Sequence, residues 1–214
     1  VYGFTDGGNF HDEATGQATG KNIPFLSLQP QKDLIIKLDI KSNKLDSIIE
    51  ESREKLFSYR EKRIHPLKDD KILTDWNGLM IASFALAGQV LDDKEYIRAA
   101  EKAAEFVQNN LTTKKSKLLK RFRLGEAGLS PHLDDYSFMI WGLLNLYEAT
   151  FNVDYLSRAV DLMTIMVEDF SDGNGGFYIG SKDSEKLMVR AKDSYDGAIP
   201  SGNSVAVLNL FRLA

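Results

Sequence analysis

The sequence predicts an all-α fold, a partial α/α toroid of repeated antiparallel helix hairpins with short β-strands in the loops between hairpins. Two segments, 77–91 and 135–151, are apolar nearly all round, and a helix without a polar face must be surrounded by protein. Each is followed by a segment with one charged face and one apolar face, 94–109 and 154–170. A pair of elements that recurs along a chain indicates a repeat architecture.

A third apolar segment begins near Asn203 and extends the series of inner helices. In a ring of such hairpins, the apolar helices form an inner barrel and the amphipathic helices form an outer shell. The inner helices then run parallel, so their N-termini open on one end of the barrel. We expect residues 1–214 to be a single-domain fragment of this toroid, with 1–43 irregular and 44–214 forming the hairpins. A chain that starts at Val1 and stops inside an apolar segment is typical of a fragment.

The remaining segments predict one more helix and several short strands. Residues 45–63 have the apolar periodicity of an amphipathic helix. Residues 1–30 are rich in Gly, Asn and Asp, which predicts a loop with one short strand at 23–28. The links 112–134 and 171–202 are longer than helix hairpins need. Their apolar stretches predict strands at 118–123, 176–179 and 186–190.

Composition excludes several classes of function. The 27 Lys and Arg against 31 Asp and Glu give a net charge of −4, which provides no basic field for nucleic acid or an anionic membrane. The chain has no Cys, and therefore no disulfide framework, thiolate nucleophile or Cys-based zinc site. No apolar run approaches the roughly 20 residues that span a bilayer. We therefore expect a cytoplasmic protein that binds neither nucleic acid nor membrane.

Polar and aromatic side chains lie at the start of each inner helix, in segments 75–77, 132–136 and 196–203. If the inner helices start at one end of the barrel, these segments become neighbours around one cavity. Carboxylates, amides and aromatic faces together suit a sugar, since rings stack on its C–H surfaces and polar groups bind its hydroxyls. The side chains that we expect to bind this ligand are Asp75, Trp76, Asn77, Arg121, Asp135, Tyr136, Ser201 and Asn203.

Helix capping is the alternative interpretation of some of these residues. Asp and Ser are preferred at helix N-termini, where Asp75, either Asp134 or Asp135, and Ser201 could satisfy backbone N–H groups that have no partner in the helix. Capping alone does not require Trp76, His132 or Tyr136. Both interpretations remain open from the sequence.

Three residues, Asp134, His132 and Asp196, are candidates for catalysis. Asp134 and Asp196 could form a carboxylate pair across the barrel, at the separation that glycosidases use. Asp134 and Asp135 are adjacent and their side chains diverge, which favours one cap and one ligand contact over an acid–base pair. His132 could carry a proton to or from the ligand. Arg121, on a predicted strand, either contacts the ligand or bridges carboxylates at the barrel mouth.

We expect neither a metal ion nor a cofactor. The three histidines show no metal-ligand spacing. The glycine-rich segment 172–178 lacks calcium-loop spacing, and it neither follows a strand nor opens a helix as a phosphate loop does. It predicts a tight turn.

Three stretches carry a resemblance to a known family. The first and most specific is 69–81, Asp-Asp-Lys-Ile-Leu-Thr-Asp-Trp-Asn-Gly-Leu-Met-Ile, and the others are 133–136 and 196–204. With these, nearly the whole chain resembles the thioredoxin-domain-containing family that includes spermatogenesis-associated protein 20 and bacterial relatives. The resemblance implies an upstream thioredoxin-like domain in the same polypeptide, and a toroid similar to N-acylglucosamine 2-epimerases and six-hairpin glycosidases. It implies no particular reaction, because those epimerases use two histidines and only His132 lies in a comparable region.

Two hypotheses about function result. The first is a carbohydrate-type toroid that binds a sugar or other small polyhydroxylated ligand where the inner-helix N-termini meet, as an enzyme of undefined reaction, epimerase-like or glycosidase-like. The second is a non-catalytic scaffold that presents clients or partners to the thioredoxin-like domain. A deep polar cavity favours the enzyme, and a flat or apolar mouth favours the scaffold.

Overall fold

The computed structural model describes residues 2–26, 30–185 and 188–214. The chain divides into two compact units, and the division falls between Lys68 and Asp69. The division does not decide whether the units belong to one domain, so the single domain over residues 1–214 stays a prediction.

The N-terminal unit contains a small hairpin and two helices. Strands β1 and β2 pair antiparallel, and the elements of this unit are β1 (Phe10–His11), β2 (Ala18–Lys21), α1 (Gln31–Leu38) and α2 (Ser42–Arg60). The helix predicted at 45–63 is α2, displaced by three residues at each end. The strand predicted at 23–28 is wrong for 23–26, which have no regular structure, and 27–28 lie outside the described residues. Helix α1 was not predicted; it starts after Pro30 and ends at Asp39, whose φ is 48°.

The second unit contains the repeated helix pairs. Each predicted helix is present within three residues of its expected start, as α3 (Thr74–Val90), α4 (Lys94–Asn110), α5 (Leu133–Thr150), α6 (Val153–Phe170) and α7 (Gly202–Leu213). Side-chain caps define three of these starts: Asp93 accepts from the Glu95 N–H, Asn152 from the Asp154 N–H, and Ser201 from the Ser204 N–H.

Helix α5 lies at the centre of this unit, in contact with α3, α4, α6 and α7. Its approach to α3 is close, because a Cβ on Gly78 would lie 2.5 Å from the Phe138 carbonyl carbon and a Cβ on Gly142 would lie 2.9 Å from the Gly78 oxygen. Asn side chains link successive inner helices: Asn145 donates to the Ala82 oxygen at 3.1 Å, and Asn209 donates to the Ser137 oxygen at 2.7 Å. The apolar helices α3, α5 and α7 therefore stand side by side.

Among the described helices with an apolar sequence, α5 is enclosed by protein over most of its length. The other two, α3 and α7, are covered where they meet α5 and leave Trp76 63% and Phe211 79% exposed. Each of these two helices has α5 as its one inner-helix neighbour. Trp76, Met80, Leu86 and Val90 form an exposed stripe on α3, which we call the α3 stripe.

Short strands lie in the first link between hairpins. An antiparallel sheet has the order β3–β4–β5, and its strands are β3 (Ile72–Leu73), β4 (Arg121–Arg123) and β5 (Glu126–Gly128). Leu73 pairs with Arg121, and Arg121 pairs with Gly128. The sheet joins the start of α3 to the link that precedes α5.

The strand predictions in the links are corrected by the structure. The one at 118–123 is shortened to β4, and the one at 176–179 is only a single bridge between Ser171 and Phe177. Residues 188–190 form no strand, and 186–187 lie outside the described residues. In the second link, the side chain of Asn203 bonds to the backbone of Phe177. Its amide accepts from the Phe177 N–H and donates to the Phe177 carbonyl oxygen.

Candidate functional site

The N-termini of α3, α5 and α7 meet at one end of the unit. The Asp75 N–H in the first turn of α3 donates to Asp135 Oδ1 in the first turn of α5 at 3.0 Å. On the other side of α5, the Asp134 carboxylate lies against Gly202, the first residue of α7. The convergence that parallel inner helices require is therefore present, and we call this the N-terminal end.

Asp135 is a buried cap at this end. It has no exposed surface, and its second oxygen accepts from the His132 N–H at 2.7 Å. Burial raises the pKa of Asp135 to about 7, against the opposing charge of Lys120. Because both oxygens are engaged and enclosed, Asp135 holds α3 and α5 together and has no surface with which to contact a ligand. Of the two interpretations of Asp135, its placement favours the cap.

Lys120 completes this buried group, and sequence reasoning did not identify it. Its Nζ lies 2.7 Å from Asp75 Oδ2 and 3.4 Å from both oxygens of Asp135, with its side chain 20% exposed. Burial lowers the pKa of Lys120, but the charge of Asp135 and the hydrogen bond to Asp75 outweigh it, and the net pKa is raised. The available signal was alternation: Leu118, Lys120 and Phe122 share one face of the predicted strand, and a lysine between two apolar residues requires carboxylate partners.

Asp75 is nearly buried and serves the same group. Its Oδ1 accepts from the Trp76 N–H at 2.8 Å, while its Oδ2 accepts from Lys120. Both oxygens of Asp75 are thus occupied within the protein. Trp76, the next residue, differs from Asp75 in that most of its surface is exposed to solvent. Asn77 is half-buried and donates to the Leu73 oxygen at 2.7 Å, one turn earlier.

Asp134 and His132 are the titratable groups of α5 that reach the surface of the N-terminal end. Burial raises the pKa of Asp134, the charge of Asp75 adds to this rise, and Lys120 and His132 oppose it. His132 is exposed, and partial burial together with the charge of Lys120 lowers the pKa of its imidazole. A carboxyl that retains its proton more strongly, beside an imidazole that loses its proton more easily, is a pair suited to proton transfer.

The residues from the second link form a cap on α7. Asp196 is exposed, its Oδ1 accepts from the Ser201 N–H at 2.8 Å, and its Oδ2 accepts from the Ser204 hydroxyl at 3.0 Å. These hydrogen bonds lower the pKa of Asp196. Ser201 is buried and caps the helix. The structure shows no contact between Asp196 and Asp134, so the predicted carboxylate pair stays a prediction.

Two predicted ligand contacts are turned into the protein. Tyr136 has no exposed surface; its hydroxyl accepts from the Leu118 N–H at 3.1 Å and its ring packs against Phe170. It lies on the face of α5 that meets α6, because one helical step turns it about 100° from Asp135, which meets α3. Asn203 uses its amide on Phe177 and also donates to the Asp193 oxygen at 2.7 Å. Both side chains contribute to the structure around the site.

Arg121 is half-buried on β4, and its Nε is buried with no hydrogen-bond partner among the described residues. The neighbouring Arg123 instead pairs with Asp70, at 2.6 Å from Nε to Oδ1. The sequence left two interpretations of Arg121, a ligand contact or a bridge between carboxylates. The structure records no salt bridge for Arg121 in the described residues, so the ligand contact stays a prediction.

A large groove in the same unit differs from this end in the residues that line it. It measures about 790 Å³ and runs between the outer helices α4 and α6, lined by charged residues that include Glu101, Arg158 and Asp161. Tyr155 and Glu101 approach to 3.5 Å across it. Such a lining is what the solvated faces of two amphipathic helices produce when they pack, so we place the candidate site at the N-terminal end. In the described part of the chain, no cluster of three or more His, Asp or Glu could hold a metal ion, and no helix is long and apolar enough to cross a membrane.

The fold and this arrangement of helix N-termini define a class of protein, the α/α toroids. The chain superposes on cellobiose 2-epimerase from Bacillus thermoamylovorans with a TM-score of 0.55 and 20% identity, over 70% of this chain and 41% of that one. It superposes on unsaturated glucuronyl hydrolase from Bacillus sp. GL1 with a TM-score of 0.55 and 18% identity, over 71% of this chain and 43% of that one. The predicted fold class, an all-α partial toroid, is confirmed.

The sequence itself is homologous to a segment of larger proteins. It is 33% identical to spermatogenesis-associated protein 20 of Rattus norvegicus and of Homo sapiens, over 99% of this chain and 28% of each relative. It is also 33% identical to an uncharacterized protein of Caenorhabditis elegans, over 92% of this chain and 28% of that one. The chain therefore spans little more than a quarter of these relatives. No model of a protein family matches it.

Proposed function

We propose that this chain binds a sugar or another small polyhydroxylated compound at the N-terminal end, where α3, α5 and α7 begin. The observation that carries the proposal is the meeting of three helix starts, two of which carry half-buried Asp134, exposed His132 and exposed Trp76. An aromatic face, a carboxyl and an imidazole at one end of the unit offer both stacking and hydrogen bonds to hydroxyl groups. The toroid neighbours, an epimerase and a hydrolase, are sugar-processing enzymes, which supports a carbohydrate-related toroid.

If the bound compound is also transformed, the proton chemistry belongs to Asp134 and His132. Burial raises the pKa of Asp134, which favours this carboxyl as the acid, and burial lowers the pKa of His132, which favours the imidazole as the base. Asp196 binds rather than reacts in this proposal, because its oxygens already accept hydrogen bonds from α7. The reaction, a cytoplasmic location and the attachment of a thioredoxin-like domain remain predictions.

The test is a thermal-shift and turnover screen of the protein against mono- and disaccharides, on the wild type, Asp134→Asn and Trp76→Ala. We expect at least one sugar to raise the Tm of the wild type by a few degrees, and both variants to lose at least tenfold in affinity, since each removes one side of the site. If no sugar stabilises the wild type, the proposal fails.

Matched controls lie on the same helix and on an outer one. Leu86→Ala removes an exposed apolar side chain from α3, ten residues and about 15 Å farther from the N-terminal end than Trp76. Asp161→Asn removes an exposed carboxylate from α6. Both controls should bind the sugar as the wild type does. A loss of binding in Leu86→Ala equal to that in Trp76→Ala would contradict a site confined to the N-terminal end.

The scaffold hypothesis is kept as a second candidate because one observation favours it. The α3 stripe presents Trp76, Met80, Leu86 and Val90 on one helix face with about half or more of each side chain exposed. Contiguous apolar surface of this kind marks an interaction site. In this second proposal, a client or the thioredoxin-like domain occupies the stripe, and sugars have no effect on the protein.

A further inference from the structure

Lys120 is held in place by its backbone as well as by its side chain. It lies in the link between α4 and α5, one residue before β4, and its N–H donates to the Leu129 oxygen at 3.2 Å. Its carbonyl oxygen accepts from the N–H of Thr74, the first residue of α3, at 3.0 Å. The Thr74 hydroxyl donates to the adjacent Leu119 oxygen. The first turn of α3 is therefore fixed to the backbone that carries the lysine.

The side chain of Lys120 joins two helices through their carboxylates. Asp75 belongs to α3 and Asp135 to α5, and the ammonium group reaches both. A buried ammonium is costly unless charged partners compensate for its lost hydration, and here two carboxylates supply that compensation. The carboxylates in turn accept backbone N–H groups from Trp76 and His132. The cluster is thus closed, with each carboxylate oxygen assigned to a donor.

Asp134 is outside this closed cluster. Its carboxylate lies against Gly202 at the start of α7 and is only partly buried, although it is adjacent in sequence to Asp135. Among the carboxyl groups of α3 and α5 at the N-terminal end, Asp134 is the one that the lysine does not contact within hydrogen-bond distance. Its position relative to α3 is nonetheless fixed by the lysine, through Asp135 and Asp75.

We propose that Lys120 is a positioning residue that bridges Asp75 and Asp135, fixes the first turns of α3 and α5, and so leaves Asp134 as the carboxyl that meets the ligand. The role rests on the proposed function, since a positioning residue needs a site to position. In this proposal Asp134 contacts the ligand, whereas Asp75 and Asp135 serve the structure. The sequence alone did not separate these roles.

The charged groups around Asp134 give the direction of the expected effects. Those that act on the pKa of Asp134 are Lys120 from the first link, Asp75 from α3, His132 immediately before α5, and the Gly202 backbone N–H of α7. Asp135 is the adjacent titratable residue on α5. Lys120 lowers the pKa of Asp134 and Asp75 raises it. Removing the lysine should therefore move the titration of Asp134 to higher pH, and neutralising Asp75 should move it to lower pH.

The experiment follows the Asp134 carboxyl directly and needs no ligand. The 214-residue chain is labelled with ¹³C at the Asp side-chain carboxyls, and the Asp134 signal is assigned by its loss in Asp134→Asn. In Lys120→Met we expect its titration midpoint to rise by about one pH unit. In Lys120→Arg, which keeps the charge, we expect most of that rise to be absent. In Asp75→Asn we expect the midpoint to fall.

The same link supplies a matched control. Lys117 is three residues earlier, and its ammonium lies 2.6 Å from Asp169 and 2.9 Å from Asp183, neither of which belongs to the cluster around Lys120. Lys117→Met removes a lysine that also pairs with two carboxylates. It should leave the titration midpoint of Asp134 at its wild-type value. An equal shift in Lys117→Met would show a general structural effect and would overturn the role of Lys120.

If Lys120→Met does not fold, the same comparison is made in the Asp75→Asn background, where one fewer buried carboxylate is left without its partner. The double variant should then titrate at higher pH than Asp75→Asn alone. An unchanged Asp134 midpoint on removal of Lys120, in either background, overturns the inference even if sugars still bind. A shifted midpoint in a protein that no sugar stabilises supports the bridge that Lys120 forms, while the proposed function fails and the ligand contact of Asp134 fails with it.

Discussion

Asp134 and Asp135 show how two identical neighbours acquire different chemistry. Successive residues of a helix point about 100° apart, so one carboxylate of an adjacent pair can enter the protein while the other stays near its surface. Asp135 is enclosed and bonded to two N–H groups, whereas Asp134 is partly buried against Gly202. The sequence predicted one cap and one ligand contact for this pair. The structure identifies Asp135 as the cap, and a ligand contact for Asp134 stays a prediction.

The pKa of Asp135 predicts how stability depends on pH. A folded-state value of about 7 against 3.8 for an ordinary Asp means that the folded protein holds this proton more tightly than the unfolded chain between those values. The stabilising contribution is thus fully present below about pH 4 and is lost as pH rises through 7. We expect the wild type to lose stability relative to Asp135→Asn over this window, with a slope of about 1 kcal/mol per pH unit.

The measurement is urea unfolding of the wild type and Asp135→Asn at several pH values from 4 to 8. Asn cannot ionise, so the difference between the two free energies of unfolding isolates the titration of Asp135 from that of other groups. A difference that stays constant over the range would show that Asp135 is ionised throughout, with Lys120 and the two N–H donors outweighing burial.

At the scale of elements, Gly78 determines how closely α3 and α5 approach. A Cβ at this position would meet the backbone of Phe138 and Met139, which cannot move aside as a flexible side chain can. Gly78→Ala must therefore separate the helices, and we expect it to lower the free energy of unfolding by about 1–3 kcal/mol. The contact between Asp75 and Asp135 one turn away should weaken with it.

Chemical denaturation of Gly78→Ala checks this expectation, with Gly128→Ala as the control. Gly128 lies on β5 with open space around its missing Cβ, so its substitution should change stability by less than about 0.5 kcal/mol. Equal losses in the two variants would contradict the close approach of the helices.

The helices of the second unit could be predicted from sequence because their periodicity extends over 12 or more residues each. Caps and charges then placed their ends within about three residues, as at Asp93 and Asn152. The strands could not be predicted in the same way. β3 has two residues and β5 has three, too few for any alternation, and they exist because β4 pairs with both.

The site was predictable in outline and not in its division of roles. Sequence spacing brought Asp75 and Asp135 to equivalent places, and the structure joins them by a hydrogen bond. Burial separates the two aromatic residues of the site. Tyr136 faces α6 and Trp76 faces solvent, although each follows an Asp at a helix start. Lys120 was missed because its partners come from two remote segments. The alternation of Leu118, Lys120 and Phe122 indicates a lysine on an apolar face, but not which carboxylates it meets.

At the scale of the whole molecule, the chain matches 28% of the length of spermatogenesis-associated protein 20 and 41% of the cellobiose 2-epimerase on which it superposes. The α3 stripe and the outer face of α7 are thus apolar surfaces at the two sides of a partial ring. We expect further hairpins of the full-length protein to cover Met80, Leu86 and Val90 of the α3 stripe and to leave Trp76 open at the N-terminal end, because an apolar inner helix is stable when protein surrounds it.

A photo-crosslinking amino acid at Met80 in the full-length protein tests this expectation. We expect cross-links to other helix hairpins of the same polypeptide, and few from a control position at Glu105 on the exposed face of α4. Cross-links from Met80 to the thioredoxin-like domain or to bound clients would instead favour the scaffold.

The hydrogen bonds that close the N-terminal end also affect the order in which the molecule assembles. The Thr74 hydroxyl reaches a carbonyl 45 residues later in the chain, and the Asp75 N–H reaches a carboxylate 60 residues later. During synthesis, α3 and α4 are made before the residues that carry either acceptor. The first turn of α3 can therefore complete these hydrogen bonds only after the link and the start of α5 have been made. Contacts between distant residues are slow to form because loop closure has to be compensated first. The surface proposed to bind a ligand would then be among the last parts of the protein to become ordered.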